Sequence, residues 1–165
     1  MSENKNGLLQ VATFAAGCFW GVEETFRKIK GVKSTQVGYT GGWWPVPTYE
    51  IVCSGKTGHA EAIEIHFDPN EVSYEQLLRM FFSIHNPTTM NRQGPDVGTQ
   101  YRSAAFFYTP EQKSAAKKMI EELEMSGKFR DSKIVTQVVP ASKFHRAEEY
   151  HQKYYEKQGG GSCYF

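Results

Sequence analysis

Cysteine is scarce in this chain: three residues among 165, and an odd number. That argues against a structural disulfide set and leaves at least one thiol to explain. Long apolar runs are missing too; nothing approaches the ~18–20 consecutive apolar residues of a membrane-spanning helix. The opening Met1-Ser2-Glu3-Asn4-Lys5-Asn6-Gly7 is polar, and no apolar stretch of signal-peptide type follows it, so a cytoplasmic location is expected. Charge of one sign is also lacking: 19 Lys and Arg stand against 18 Asp and Glu, mixed along the chain. Neither nucleic acid nor an anionic membrane has a basic stripe to bind. His59, His66, His85, His145 and His151 show no metal-ligand spacing, and Cys53 with His59 lacks the paired spacing of a zinc motif. No metal and no organic cofactor is expected.

What is present suits one ordinary core. Hydrophobic residues make up 39%, with 11 Phe, 9 Tyr and 3 Trp, enough to fold without disulfide staples. No repeat or interior linker appears. The expectation is a single catalytic domain over residues 1–165, with a polar N-terminal segment 1–8 and a flexible Gly-rich tail 158–165.

The pattern predicts strands at Leu9–Ala16, Val32–Thr40, Glu61–Phe67, Ala104–Tyr108 and Ile134–Val139. Helices are predicted at Phe19–Lys30, stopped by Gly31; from Ser73, with Gln76 set for a capping box; from Thr109-Pro110 to Gly127; and at Ala147–Lys157. Residues 41–58 and 85–100 read as loops. The order β-α-β-β-α-β-α-β-α begins with the split βαβ arrangement. The expected fold is therefore α/β, a two-layer sandwich of ferredoxin-like type with a mixed β-sheet.

Two residues stand out against this frame. Cys18, between glycines in Gly17-Cys18-Phe19-Trp20-Gly21, lies where the first strand meets the first helix. Backbone N–H groups at a helix start favour negative charge, hence a thiolate nucleophile, and Phe19 and Trp20 beside it offer an apolar lining. The alternative is a small buried hydrophobe. Glu61 is the second. Counting back by twos from Phe67 through Ile65 and Ile63, the next residue on that apolar face is Glu61. Desolvation there holds a carboxyl protonated and able to donate; the alternative is a face already reaching solvent at the strand's start.

Other candidates are less determined. Tyr39, beside glycines in Val37-Gly38-Tyr39-Thr40-Gly41-Gly42, is an exposed donor or a core tyrosine. Asp96 and Tyr101 lie in a loop entering an apolar strand, where Asp96 carries function or only fixes a turn. Cys163 sits in the Gly-rich tail, and a tethered thiol reaches a nearby site at high effective concentration; otherwise it is an incidental terminal cysteine. A cysteine hydrolase with a histidine base and a redox-sensing module remain rival readings of these residues.

These motifs together resemble the A-type peptide methionine sulfoxide reductase family. The resemblance runs from Ala12 to about Gln158 and rests on four segments in order: 17–21, 37–42, Thr57-Gly58-His59-Ala60-Glu61, and Asn91-Arg92-Gln93-Gly94 continuing through 96–103. It implies that Cys18 is the nucleophile and that Phe19 and Trp20 receive the substrate's methyl group. It implies further that Glu61 protonates the sulfoxide oxygen, that Tyr39 and Tyr101 hold that oxygen, that Asp96 belongs to the same site, and that Cys163 is the recycling cysteine. Reduction of the S epimer, in peptides or free, with thioredoxin as reductant follows from the same resemblance; a monomer is expected. Three features depart from the common pattern. Residues 43–47 read Trp-Trp-Pro-Val-Pro, Asn86 stands where Asp is usual, and the tail has one cysteine where some members have two. Cys53 reads as structural.

Overall fold

The computed structural model describes residues 8–158. Its elements are β1 (Gln10–Ala16), α1 (Phe19–Phe26), β2 (Val32–Thr40), α2 (Tyr49–Cys53), β3 (Ala60–Phe67), α3 (Tyr74–Ser83), β4 (Arg92–Gln93), β5 (Asp96–Val97), β6 (Ser103–Phe107), α4 (Pro110–Met125), β7 (Gln137–Pro140), β8 (His145–Arg146) and α5 (Tyr154–Lys157). The main sheet runs β7-β6-β1-β3-β2-β8. Its four central strands, β6-β1-β3-β2, pair antiparallel; with α1 and α3 between them in sequence they form the ferredoxin-like unit. β7 adds in parallel to β6, which makes the sheet mixed. No helix among the described residues is long and apolar enough to cross a membrane.

The sheet's two faces differ in side-chain size. One carries Phe14, Val37, Ile63, Ile65 and Phe67 toward Phe26, Leu77, Leu78 and Phe81 of the helices. Phe14 sits at the centre, its ring 5.7 Å from Phe26 and 4.8 Å from Phe81. Each of these side chains contributes about 1.5–3 kcal/mol by leaving water. The other face is small, with Ala15, Ala60, Ala62 and Ala104 beside Phe106, and Val139, Ala141 and Phe144 pack on it. Ala104 to Phe106 is buried on both faces, as its unbroken apolar run predicts.

Caps behave as the residue types require. Ser73 Oγ accepts from Gln76 N at 3.0 Å while Gln76 Oε1 accepts from Ser73 N at 2.8 Å, the reciprocal box predicted at the start of α3. Thr109 caps α4 ahead of Pro110.

Four predicted elements need correction, and the predicted loop 85–100 also holds the β4–β5 hairpin. The first helix ends at Phe26, not Lys30; the chain tightens into three-residue turns, Ile29 N to Phe26 O and Val32 N to Ile29 O, which return Ile29 to the core. The loop 41–58 holds α2, capped by Thr48, a short helix hidden among Gly and Pro. The last strand begins at Gln137 because the three residues assigned before it pair elsewhere: Ile134 N donates to Glu124 Oε2, Val135 N to Pro87 O, and the Thr136 hydroxyl pairs with the Ser103 hydroxyl at 2.7 Å. The predicted helix Ala147–Lys157 is broken into a 3-10 turn at Glu149–His151 and α5. Between them Lys153 takes a left-handed conformation, φ 50°. Tertiary bonds decide this. Gln152 reaches Val37 on β2 with both ends of its amide, at 2.9 Å each, and buried Glu23 accepts Lys153 N at 2.7 Å.

Candidate active site

The site forms where β1 passes into α1, beside the start of β3. Gly17 turns the chain with φ +91°, and a Cβ there would meet Gln93 Cγ at 2.9 Å, so glycine is needed both for the backbone and for the contact. Cys18 follows as the N-cap of α1, half-buried. The next residue, Phe19, donates its backbone N–H to Glu61 Oε1 at 3.2 Å. One bond thus joins the helix start that carries the thiol to the strand that carries the carboxyl.

Glu61 is 2% exposed, on the helix-facing side of β3 as its spacing from Ile63 and Ile65 predicts. Burial raises its pKa to about 8 against the opposing Phe19 N–H bond, and the charge of Asp96 adds to the rise. The carboxyl is therefore mostly protonated at neutral pH. Tyr39 lies directly opposite Glu61 in the β2–β3 register and is fully buried. Its hydroxyl donates to Glu148 Oε1 at 2.8 Å; burial and Glu148 keep it well above the usual phenol range.

Tyr101, half-buried, ends a 3-10 turn that follows the β4–β5 hairpin. Burial first, then the charges of Glu61, Cys53, Asp96 and Cys18, push its phenol up. Tyr101 thus lies within electrostatic reach of the thiol, the acid and the hairpin's Asp96. Phe19 is buried in the core, its ring 5.8 Å from Tyr39 and 5.3 Å from His151, so it backs the site. Trp20 reaches the surface, stacked on Tyr154 at 3.8 Å and donating its indole N–H to His151 Nδ1 at 2.9 Å. Cys163 lies outside the described residues.

Residues that the sequence reading did not single out complete the wall. Glu148 takes the Tyr39 hydroxyl and also the Tyr49 N–H, the latter at 2.9 Å on Oε2; these bonds outweigh desolvation and keep its carboxylate below the ordinary range. Cys53 is exposed, with hydrogen bonds to Tyr49 and Tyr101, and desolvation raises its thiol. A depression of about 630 Å³ opens here, lined by Tyr49, Cys53, Glu148 and Tyr150 among others. Glu148 and His151 were hidden because residues 147–157 read as one helix; the signal against that reading was the run from Glu148 to Lys153, in which Tyr150 is the one apolar residue, too little for a stripe that docks a helix. His59 was set aside as non-ligating. It holds the turn after β2, accepting Gly42 N at 3.0 Å on Nδ1 and facing Trp44 O at 2.8 Å through Nε2. Asn86 accepts with its amide oxygen from Thr88 N at 2.9 Å and Thr88 Oγ1 at 2.6 Å, a role an Asp carboxylate fills equally.

Among the described residues no group of three or more His, Cys, Asp or Glu is placed to hold a metal ion. The arrangement offers instead a helix-start thiol, a neutral carboxyl bonded to the next residue's amide, and two phenols, Tyr39 buried and Tyr101 half-buried.

Comparison with known proteins agrees with this geometry. A relative from Methanosarcina acetivorans, a peptide methionine sulfoxide reductase MsrA, is 59% identical over 157 residues, covering 95% of this chain and 83% of its own. The crystal structure of reduced Mxr1 from Saccharomyces cerevisiae superposes with a TM-score of 0.86 at 37% identity, covering 94% of this chain and 88% of the yeast one. A second structure of Mxr1, in complex with Trx2, matches with a TM-score of 0.61 at 26% identity over 88% and 84% of the two chains. The family model for peptide methionine sulfoxide reductase matches residues 10–165, and the chain belongs to that family of methionine sulfoxide-reducing enzymes.

Proposed function

We propose that this enzyme reduces the S epimer of methionine sulfoxide, in peptides and proteins or free, through a sulfenic acid on Cys18. The observation that carries the reading is the buried, protonated Glu61 bonded to the amide of the residue next to Cys18. A sulfoxide has a poor leaving group, and a neutral acid beside the nucleophile answers that need.

The reaction balances as follows. Thiolate Cys18 attacks the sulfoxide sulfur while Glu61 gives its proton to the oxygen, which Tyr39 and Tyr101 hold. The oxygen passes to Cys18; methionine leaves with its sulfur reduced by two electrons, and the cysteine sulfur is oxidised by two to the sulfenic acid. Phe19 and Trp20 shape the apolar side that receives the methyl group. Cys163 then condenses with the sulfenic acid, releasing water and forming a Cys18–Cys163 disulfide, and a thioredoxin dithiol reopens it by exchange. The complex of the yeast relative with Trx2 supports that choice of reductant.

The test is turnover of peptides carrying either sulfoxide epimer, with thioredoxin as donor. Wild type converts the S epimer and leaves the R epimer; Cys18→Ser converts neither. Cys163→Ser makes about one methionine per enzyme and stops. Sustained turnover by that variant rejects Cys163 as the recycling thiol, and peroxide-driven disulfide formation without sulfoxide turnover in wild type rejects the enzyme reading.

A further inference from the structure

The two oxygens of Glu148 have different partners. Oε2 accepts the Tyr49 N–H at 2.9 Å and Oε1 accepts the Tyr39 hydroxyl at 2.8 Å. A third donor waits beside them. The His151 ring is 0% exposed, enclosed by Phe19, Trp20, Tyr49 and Tyr150 with centroids 5.3, 5.7, 4.5 and 4.1 Å away. Its Nδ1 accepts from the Trp20 indole, which can only donate. Burial holds the ring neutral, so the single ring proton is on Nε2. That N–H has no hydrogen-bond partner among the described residues, and it lies 3.9 Å from Glu148 Oε1, the oxygen already taken by Tyr39.

A buried donor left unmatched is costly, and the phenol poses a second difficulty. Tyr39 has one proton. It is directed at Glu148, while a sulfoxide oxygen only accepts, so Tyr39 serves one or the other. We propose that Glu148 and His151 are positioning residues that exchange hydrogen bonds when substrate enters: Tyr39 turns its proton from Glu148 Oε1 to the sulfoxide oxygen, and the His151 Nε2–H takes the vacated Oε1. The exchange needs His151 and Oε1 to close by about 1 Å to ordinary hydrogen-bond distance. Oε2, fixed by the Tyr49 amide, holds the carboxylate in place meanwhile. Every donor then has an acceptor in the complex, and the ligand-free state carries the unmatched one. This inference rests on the reading that Tyr39 holds the substrate oxygen.

The experiment observes His151 directly. In ¹⁵N-labelled Cys18→Ser protein, which binds without turning over, the proton on His151 Nε2 is followed by NMR while N-acetyl-methionine S-sulfoxide amide is added. Its resonance moves downfield and its exchange with solvent slows as the sulfoxide saturates. In Cys18→Ser/Tyr39→Phe, where Oε1 has no phenol to release, the resonance starts downfield and does not respond. A resonance that stays put in Cys18→Ser at saturation overturns the exchange. First-turnover rates separate the two layers of the argument. His151→Phe slows otherwise wild-type enzyme about tenfold, one ordinary hydrogen bond, and adds nothing in the Tyr39→Phe background. Equal losses in both backgrounds overturn the exchange alone; a Tyr39→Phe enzyme that turns over at the wild-type rate overturns the placement of Tyr39 and the exchange with it.

Discussion

Replacing Glu61 by Gln should move activity and stability in opposite directions. The folded protein raises this carboxyl from 4.5 to about 8. Below pH 4.5 the group is neutral in both folded and unfolded chains and the fold loses nothing by burying it. As pH rises from there the unfolded chain releases the proton and the folded one holds it, which withdraws ~1.4 kcal/mol of stability per pH unit until the folded group itself ionises near 8. At pH 7 the accumulated loss is about 3 kcal/mol. Gln has no proton to lose, and its carbonyl can still accept the Phe19 N–H. Glu61→Gln is therefore more stable than wild type at pH 7 by about 3 kcal/mol, or roughly 6–12 °C in Tm for a domain of this size. The gap shrinks below ~1 kcal/mol at pH 5. The same variant lacks the proposed acid, so its first-turnover rate should drop by about 10²–10⁴, and the fall in rate expected of wild type above pH 8 should disappear. Urea unfolding at pH 5 and pH 7, beside rapid-quench measurement of methionine release, checks both halves. A variant no more stable than wild type at pH 7, or a stability gap that ignores pH, refutes the account of Glu61 as a neutral buried acid.

Two further substitutions probe how the C-terminal segment is held. Gln152→Ala removes bonds to Val37 N, Val37 O and Ala147 O and leaves buried backbone groups unmatched, at a cost of about 2–4 kcal/mol in urea unfolding. Gly38→Ala places a methyl against the His145 carbonyl and 2.6 Å from the Phe144 ring. It should cost about 1–3 kcal/mol and speed hydrogen exchange at Arg146, whose strand pairs with Gly38.

Legibility in the sequence followed the range of the forces involved. β3 was readable because its face is decided locally: alternation at period two puts Glu61 beside Ile63 and Ile65 whatever packs above them. The Ser73 box was readable for the same reason, since both partners lie within three residues. The C-terminal segment was not. Residues 147–157 have tolerable helix propensity, and what breaks them is the pull of Val37 and Glu23, more than 100 residues away. The site divided in the same way. Cys18, Glu61, Tyr39, Tyr101 and Asp96 belong to compact motifs with unusual local composition. Glu148 and His151 acquire meaning only when β2 and α1 lie beside them, and Cys53 acquires its Tyr101 neighbour only when α2 meets the turn at Tyr101.

In the mechanism proposed above, the amide of Phe19 stands between two groups that trade a formal charge. On that reading the anion before reaction is a thiolate at the helix start, and the carboxyl bonded to Phe19 is neutral. After oxygen transfer the sulfenic acid is neutral and the carboxylate carries the charge. The anion has been relocated across one helical terminus, neither created nor destroyed, and the N–H that holds Glu61 at 3.2 Å meets it on arrival. A site with constant net charge has no need to recruit a counter-ion during the step, and a donor already aimed at the arriving charge lowers the reorganisation it costs. The oxidised enzyme should then be slow to take a second sulfoxide for a reason apart from the blocked sulfur: its acid is spent, and stays so until a proton returns to Glu61.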